Sequence, residues 1–199
     1  MSTKGRGALA RNFKQPLHLE ELDFSDPSPG EILVQMRTSG VCHTDLHAVD
    51  GDWPIKPLLP FIPGHEGVGI AAKVGRDVRD VKEGDRVGLP WLRAACGQCE
   101  WCITGWETLC PNAVYGGYTA NGSFADYALA PAAYVARIPD RLSDVDAGPI
   151  QCGTHHLEGA KGNRSATGPV GSDFGRGRAG SIGGSICRCH GPPCHRDRH

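Results

Sequence analysis

Four cysteines, Cys96, Cys99, Cys102 and Cys110, stand at the spacing C-x2-C-x2-C-x7-C. Four thiolates this close along a chain can surround one Zn2+ tetrahedrally and leave no open position, which is the arrangement of a structural site. Gly97, Gly105 and Pro111 supply the turns that such a lobe needs. The alternative is a set of buried or disulfide-bonded cysteines, which the spacing and the lack of a signal-peptide core over Met1 to Lys14 disfavour. Two further segments, Gly40-Val41-Cys42-His43-Thr44-Asp45-Leu46-His47 and Pro63-Gly64-His65-Glu66-Gly67-Val68-Gly69, each set a metal donor beside acidic and hydroxyl side chains. Each alone is a weak signal, because a single histidine such as His65 is more often a hydrogen-bonded core or surface residue than a ligand.

Taken with the cysteine cluster, the segments GVCHTDLH, GDWP, GHEGVGIAAKVG, GDRVG and GSFADYA resemble the zinc-dependent medium-chain alcohol dehydrogenases, among them the propanol-preferring type, from about Leu9 to Cys152. The resemblance implies two Zn2+ per chain: a catalytic ion held by Cys42, His65 and Cys152, and a structural ion in the four-cysteine lobe. In the Cys2His set that alcohol dehydrogenase exemplifies, two thiolates cancel the charge of Zn2+, and the open fourth position can bind an alcohol and lower its pKa. It further implies a proton relay through the Thr44 hydroxyl and His47, with the ribose of NAD between them, and it sets His43 and His47 against the cofactor, His43 at its pyrophosphate. Asp45 is implied as the partner of His65 and Glu66 as a carboxylate behind the metal, since a ligating histidine usually donates its second N–H to a carboxylate. Both could instead be solvated charges. Trp53 and Trp91 fall where the family lines its substrate pocket, where two large rings favour small unbranched alcohols, although either could be plain core.

The elements that must hold these groups are short. Between Leu9 and Pro139, apolar runs alternate with Gly and Pro, which predicts a mainly β domain with short helices (α+β). Strands are expected over Glu31–Met36, Gly67–Val74 and Tyr134–Ile138, turns at Pro29-Gly30, Glu83-Gly84-Asp85 and Asn121-Gly122, and a helix over Cys42–Val49. With the resemblance, residues 1–152 are expected to form the GroES-like catalytic domain of an alcohol dehydrogenase, with its zinc lobe at 96–110.

From Gly153 onward the chain turns to Gly, Arg, Ser, His and Pro, too few apolar side chains to offset the entropy of ordering, so a disordered tail is expected over 153–199. The family's continuation into a Rossmann domain, with its crossover helix and Gly-rich turn, has no counterpart there. If two bases are restored after the Cys152 codon, the following codons can read AGLTTWKGLKETEARPGQWVAISGVGGLG, which is similar to that continuation; a frame change after Cys152 is therefore expected. Cys187-Arg188-Cys189-His190 with Cys194 and His195 could by spacing hold a third zinc, but out of frame they carry no such role.

With 39% hydrophobic residues, 22% charged residues and a formal net charge of -1, nothing argues for nucleic acid or an anionic membrane as partner. No apolar run approaches the ~20 residues of a membrane span, and a cytoplasmic location is expected. The activity implied is NAD-dependent interconversion of small primary alcohols and aldehydes by a family of homo-oligomers, with this chain a truncated and inactive piece. NAD over NADP follows from the resemblance alone, because the residue that selects the ribose lies in the nucleotide-binding half. Two other readings stay open: a non-catalytic zinc-binding fragment, and another zinc medium-chain dehydrogenase of polyol, formaldehyde or cinnamyl type.

Overall fold

The computed structural model describes residues 2–158. Strands β1 (Thr3–Leu9) and β2 (His18–Phe24) form an antiparallel ribbon, with Thr3 opposite Phe24 and Leu9 opposite His18. The chain then enters β3 (Glu31–Ser39), helix α1 (His43–Asp50), β4 (Gly67–Val74) and β5 (Arg86–Leu89). Next come β6 (Leu92–Ala94), helix α2 (Glu100–Ile103), β7 (Val114–Tyr115), β8 (Tyr127–Pro131), β9 (Ala136–Arg137) and helix α3 (Asp144–Glu158). The main sheet has the order β8-β3-β4-β5-β9 with every neighbour antiparallel, and β6 pairs with β7 apart from it. The architecture is mainly β with short helices, as the alternating apolar runs predict.

Strand β3 lies between β4 and β8, and Ile32, Leu33 and Val34 are all fully buried, so both of its faces are covered there. Ile32 and Val34 pack with Ala71, Val81, Val87 and Ala130 into the main core, which supplies most of the drive to close the sheet. The strand predicted over 134–138 shrinks to Ala136–Arg137, preceded by a 3-10 turn over Ala132–Tyr134. Its one partner is the short β5, at Val87 and Gly88, so only two residues find a ladder.

Helix α1 forms one residue inside its predicted start. Cys42 is the N-cap, in extended conformation, and Gly51 closes the helix at φ 65, where its N–H reaches the carbonyls of His47 and Ala48. Helix α3 is capped by Ser143, whose Oγ accepts the Asp146 N–H at 3.1 Å and whose hydroxyl donates to the Asp146 carboxylate at 2.6 Å. Pro149, inside α3, removes one helical donor, yet the helix runs on to Glu158, more than a turn past the last predicted ordered residue, Cys152. The sequence predicts no helix there. Capping and the burial of Ala147 against Val68 and Ile138 pay the nucleation cost, after which each added residue costs little. The first six residues of the expected tail thus belong to α3, while its remainder and the Cys187–His195 cluster lie outside the described residues. Among the described residues, no helix is long and apolar enough to cross a membrane.

Candidate metal centre

Between β6 and β7 the chain loops out around four cysteines. Gly97 and Gly105 adopt φ of +72° and +88°, the left-handed region that a residue with Cβ enters at a cost, and α2 starts from Cys99 as its N-cap. The four sulfurs lie within 4.8 Å of one another, with Cys96 to Cys102 at 3.8 Å and Cys99 to Cys102 at 3.5 Å. Metal–sulfur bonds of ~2.3 Å in a tetrahedron put the sulfurs ~3.8 Å apart, so the cluster has the dimensions of a zinc site. A disulfide needs ~2.05 Å, and all the described cysteines are free. In the thiol form the backbone N–H groups of Gln98 and Cys99 pull Cys96 down to about 6, while burial and the neighbouring Cys99 push Cys102 up to about 12.

The second cluster is assembled from three distant parts of the chain. Cys42 sits at the start of α1, His65 and Glu66 in the turn that enters β4, and Cys152 on α3. One donor atom from each lies within 4.8 Å of the others. Donors on opposite sides of one zinc stand at most ~4.6 Å apart, so a single ion fits with little adjustment. Asp45 ties two of the parts together: its Oδ2 accepts the Cys42 N–H at 2.9 Å, and its Oδ1 accepts the Gly64 N–H at 3.1 Å and meets His65 Nδ1 at 2.9 Å. Asp45 and His65 are 3% and 2% exposed, so this contact is out of reach of competing water.

A carboxylate can only accept, so Nδ1 of His65 carries the proton and Nε2 the lone pair. That Nε2 is buried and has no hydrogen-bond partner among the described residues. A buried acceptor left unpaired is costly, and a metal ion among two sulfurs and a carboxylate satisfies it. Burial pushes the Cys152 thiol up to about 12, with Cys42 and Glu66 adding to the shift, and burial also raises the Glu66 carboxyl. A cation at this point reverses that balance, because the thiolates and the carboxylate then have a charge to neutralise. The donor set of two cysteines and a histidine therefore fits zinc. Glu66, expected behind the metal, offers its oxygen inside the same cluster.

The remaining predicted residues surround this centre. Thr44 lies half-buried in the first turn of α1. The exposed His43 stacks on His47 at 4.6 Å, and His47 Nδ1 meets the Asp52 carboxylate at 3.1 Å. Trp91 stands edge-on to His65 at 5.1 Å and stacks on Tyr115 at 4.9 Å; Trp53 lies 5.8 Å from His47 and 6.2 Å from Trp91. Both tryptophans are half-buried against the cluster of Ala10, Ala48, Phe61 and Tyr118, so they are partly core and partly a wall beside the centre.

The sequence reading omitted Asp52, Tyr115 and Tyr118. The GDWP segment holds both Asp52 and Trp53, and its position five residues past His47 was the available signal for Asp52. The tyrosines had none, since their proximity to Trp91 and Trp53 arises only in the folded chain.

A family described as the alcohol dehydrogenase GroES-like domain matches residues 28–140. An alcohol dehydrogenase of Geobacillus stearothermophilus is 54% identical over 147 residues, which are 74% of this chain and 43% of that protein. One from Moraxella sp. (strain TAE123) is 55% identical over 147 residues, 74% of this chain and 44% of its own length. Among solved structures, the cobalt- and zinc-bound thermostable alcohol dehydrogenase of Pyrobaculum aerophilum superposes with a TM-score of 0.68 at 30% identity, covering 75% of this chain and 45% of that one. The chain thus spans less than half the length of the relatives it matches. The match runs through the β sheet and both cysteine-bearing segments before Pro139, and on that ground the chain belongs to the zinc-dependent medium-chain alcohol dehydrogenase family through its GroES-like domain.

Proposed function

We propose that the domain ending at Cys152 is the metal-binding catalytic domain of an NAD-dependent alcohol dehydrogenase of the propanol-preferring type, which interconverts small primary alcohols and aldehydes. The observation that carries this reading is the buried, unpaired Nε2 of His65, fixed by Asp45 and converged on by Cys42, Cys152 and Glu66. A zinc ion held there supplies the Lewis acidity that lowers the pKa of a bound alcohol. A second zinc, in the lobe of Cys96, Cys99, Cys102 and Cys110, is structural.

The chain's own side chains then handle the proton. Thr44 and His47 are three residues apart on α1 and so share a face of the helix. The Thr44 hydroxyl takes the alcohol proton and passes one on toward His47. The Asp52 carboxylate at His47 Nδ1 selects the tautomer whose Nε2 accepts it. His43, exposed beside His47, is placed to meet a cofactor phosphate. Trp53 and Trp91 narrow the approach and favour unbranched alcohols.

Hydride transfer needs a nicotinamide ring held beside the alcohol. On the frame reading, residues 153–199 are out of frame and a polypeptide of these 199 residues turns over no alcohol by itself. The test is NAD-dependent oxidation of ethanol and propan-1-ol by the purified chain and by a version with two bases restored after the Cys152 codon. The expected result is no turnover in the first and turnover in the second. Turnover by the unaltered chain overturns its inactivity; a restored, metal-loaded protein that oxidises no alcohol overturns the dehydrogenase reading. The two donor clusters also fit, for this polypeptide, a zinc-binding fragment without catalysis, and NAD binding by the purified chain would argue against that.

A further inference from the structure

We propose that Arg86 and Gly88, two positions apart on β5, are positioning residues that aim Cys152 into the buried centre. The proposal rests on the reading of Cys42, His65 and Cys152 as ligands of one ion. Those ligands are not held alike. Asp45 cross-links Cys42 to His65 through hydrogen bonds of 2.9 Å each, whereas Cys152 arrives on α3 and its thiol meets Cys42 and Glu66 only at the centre itself. Its place depends on how α3 docks.

Strand β5 grips α3 at two points. Residues i and i+2 of a strand face the same side, so Arg86 and Gly88 both turn toward the helix. The Arg86 guanidinium holds the start of α3: Nε and Nη2 donate to Asp144 Oδ1 at 3.1 and 2.7 Å. It also donates to the carbonyls of Leu142 at 2.7 Å and Pro139 at 3.3 Å, which fixes the approach to the helix. Gly88 receives the other end. A Cβ at Gly88 would fall 2.3–2.6 Å from the side-chain amide of Gln151, the neighbour of Cys152, so the lack of a side chain is what lets Gln151 seat. Gln151 is 2% exposed and donates to the Ala147 carbonyl at 3.1 Å, so it has little room to turn away.

Asp144, Ala147, Gly148, Gln151 and Cys152 recur at i, i+3, i+4, i+7 and i+8, which places them on one face of α3. A Cβ at Gly148 would lie 3.3 Å from the Glu66 carbonyl oxygen and 3.4 Å from the Gly40 nitrogen, so the same face also rests on the backbone of the ligand loops. The grip on Asp144 and Gln151 is thus carried along the helix to the sulfur of Cys152. Metal sites tolerate ligand shifts of only ~0.2 Å, so a side chain added at Gly88 should displace the ligand far enough to matter.

The test compares the purified 199-residue chain with Gly88→Ala, Gly88→Ala/Gln151→Ala, Arg86→Gln and Cys152→Ser variants. Each is loaded with Co2+ and read by thiolate-to-cobalt charge-transfer absorption and by chelator competition, with the four-cysteine lobe as internal control. Gly88→Ala and Arg86→Gln should each weaken the buried centre by roughly 10–100-fold, the scale of losses when a ligand's support is removed, and leave the lobe unchanged. The double variant, which shortens Gln151 to clear the added methyl, should recover most of the loss. Unaltered cobalt affinity and absorption in Gly88→Ala overturns the proposal, and so does an equal loss at both sites that the double variant does not reverse. If Cys152→Ser loses one cobalt while Gly88→Ala loses none, only the positioning role falls. If Cys152→Ser keeps both, the reading of the centre falls with it.

Discussion

At the scale of single residues, Asp45 organises the buried centre: one carboxylate accepts from the backbone beside Cys42, from the backbone before His65 and from the His65 ring. Asp45→Asn keeps the size but presents a weaker and partly donating group, so it should cost roughly 10–100-fold in metal affinity at this centre while leaving the lobe filled. Metal analysis during chelator titration reads both. The thiols of the metal-free chain differ just as sharply. Cys96, drawn to about 6 by backbone donors, is mostly thiolate at neutral pH, whereas Cys102 and Cys152, pushed up to about 12 chiefly by burial, are neutral. Since the thiolate is the nucleophile, iodoacetamide at pH 7 should label Cys96 well ahead of the other two. Labelling should slow as the pH falls through 6, where Cys96 takes up its proton, and zinc should block it. Peptide mapping that found Cys102 labelled first would contradict this ordering. In the frame-restored protein, Thr44→Ala should cut turnover by roughly 10²–10⁴-fold with both metals bound, because it removes a proton relay and no ligand. Steady-state kinetics beside metal analysis checks it, and full activity would sink the relay role.

At the scale of elements, the lobe between β6 and β7 has little to hold it but its sulfurs. Trp101, Ile103, Trp106 and Leu109 are exposed, so no apolar core of its own stabilises it. Cys110→Ser should release the lobe metal and open residues 95–113 to protease, while the sheet built on Ile32, Val34 and Val87 stays intact. Limited proteolysis with mass mapping distinguishes this from general unfolding. The same elements show what could be read from the amino-acid order. The strands at Glu31 and Gly67, the helix after Cys42 and the spacing of the four cysteines are local signals, written in alternation, capping and C-x2-C repeats, and all emerge in place. Helix α3 was not legible, since Gly148 and Pro149 argue against a helix in isolation and only packing against β5 and the cap at Ser143 offset them. The tyrosines near Trp91 were hidden because their place comes from contacts between distant segments, whereas Asp52, five residues past His47, was within reach of a local reading.

At the scale of the whole molecule, a β sheet brings residues 42, 65, 66 and 152 to one point, although more than a hundred positions separate the first from the last. That convergence, which no single motif shows, is what supports the proposed metal centre. The most direct measurement is the zinc content per chain of the purified protein and of its Cys42→Ser and Cys96→Ser variants. The account predicts two zinc ions in the parent and one in each variant, with a different ion lost in each, so that the double variant holds none. One ion in the parent, unaffected by Cys42→Ser, would contradict it.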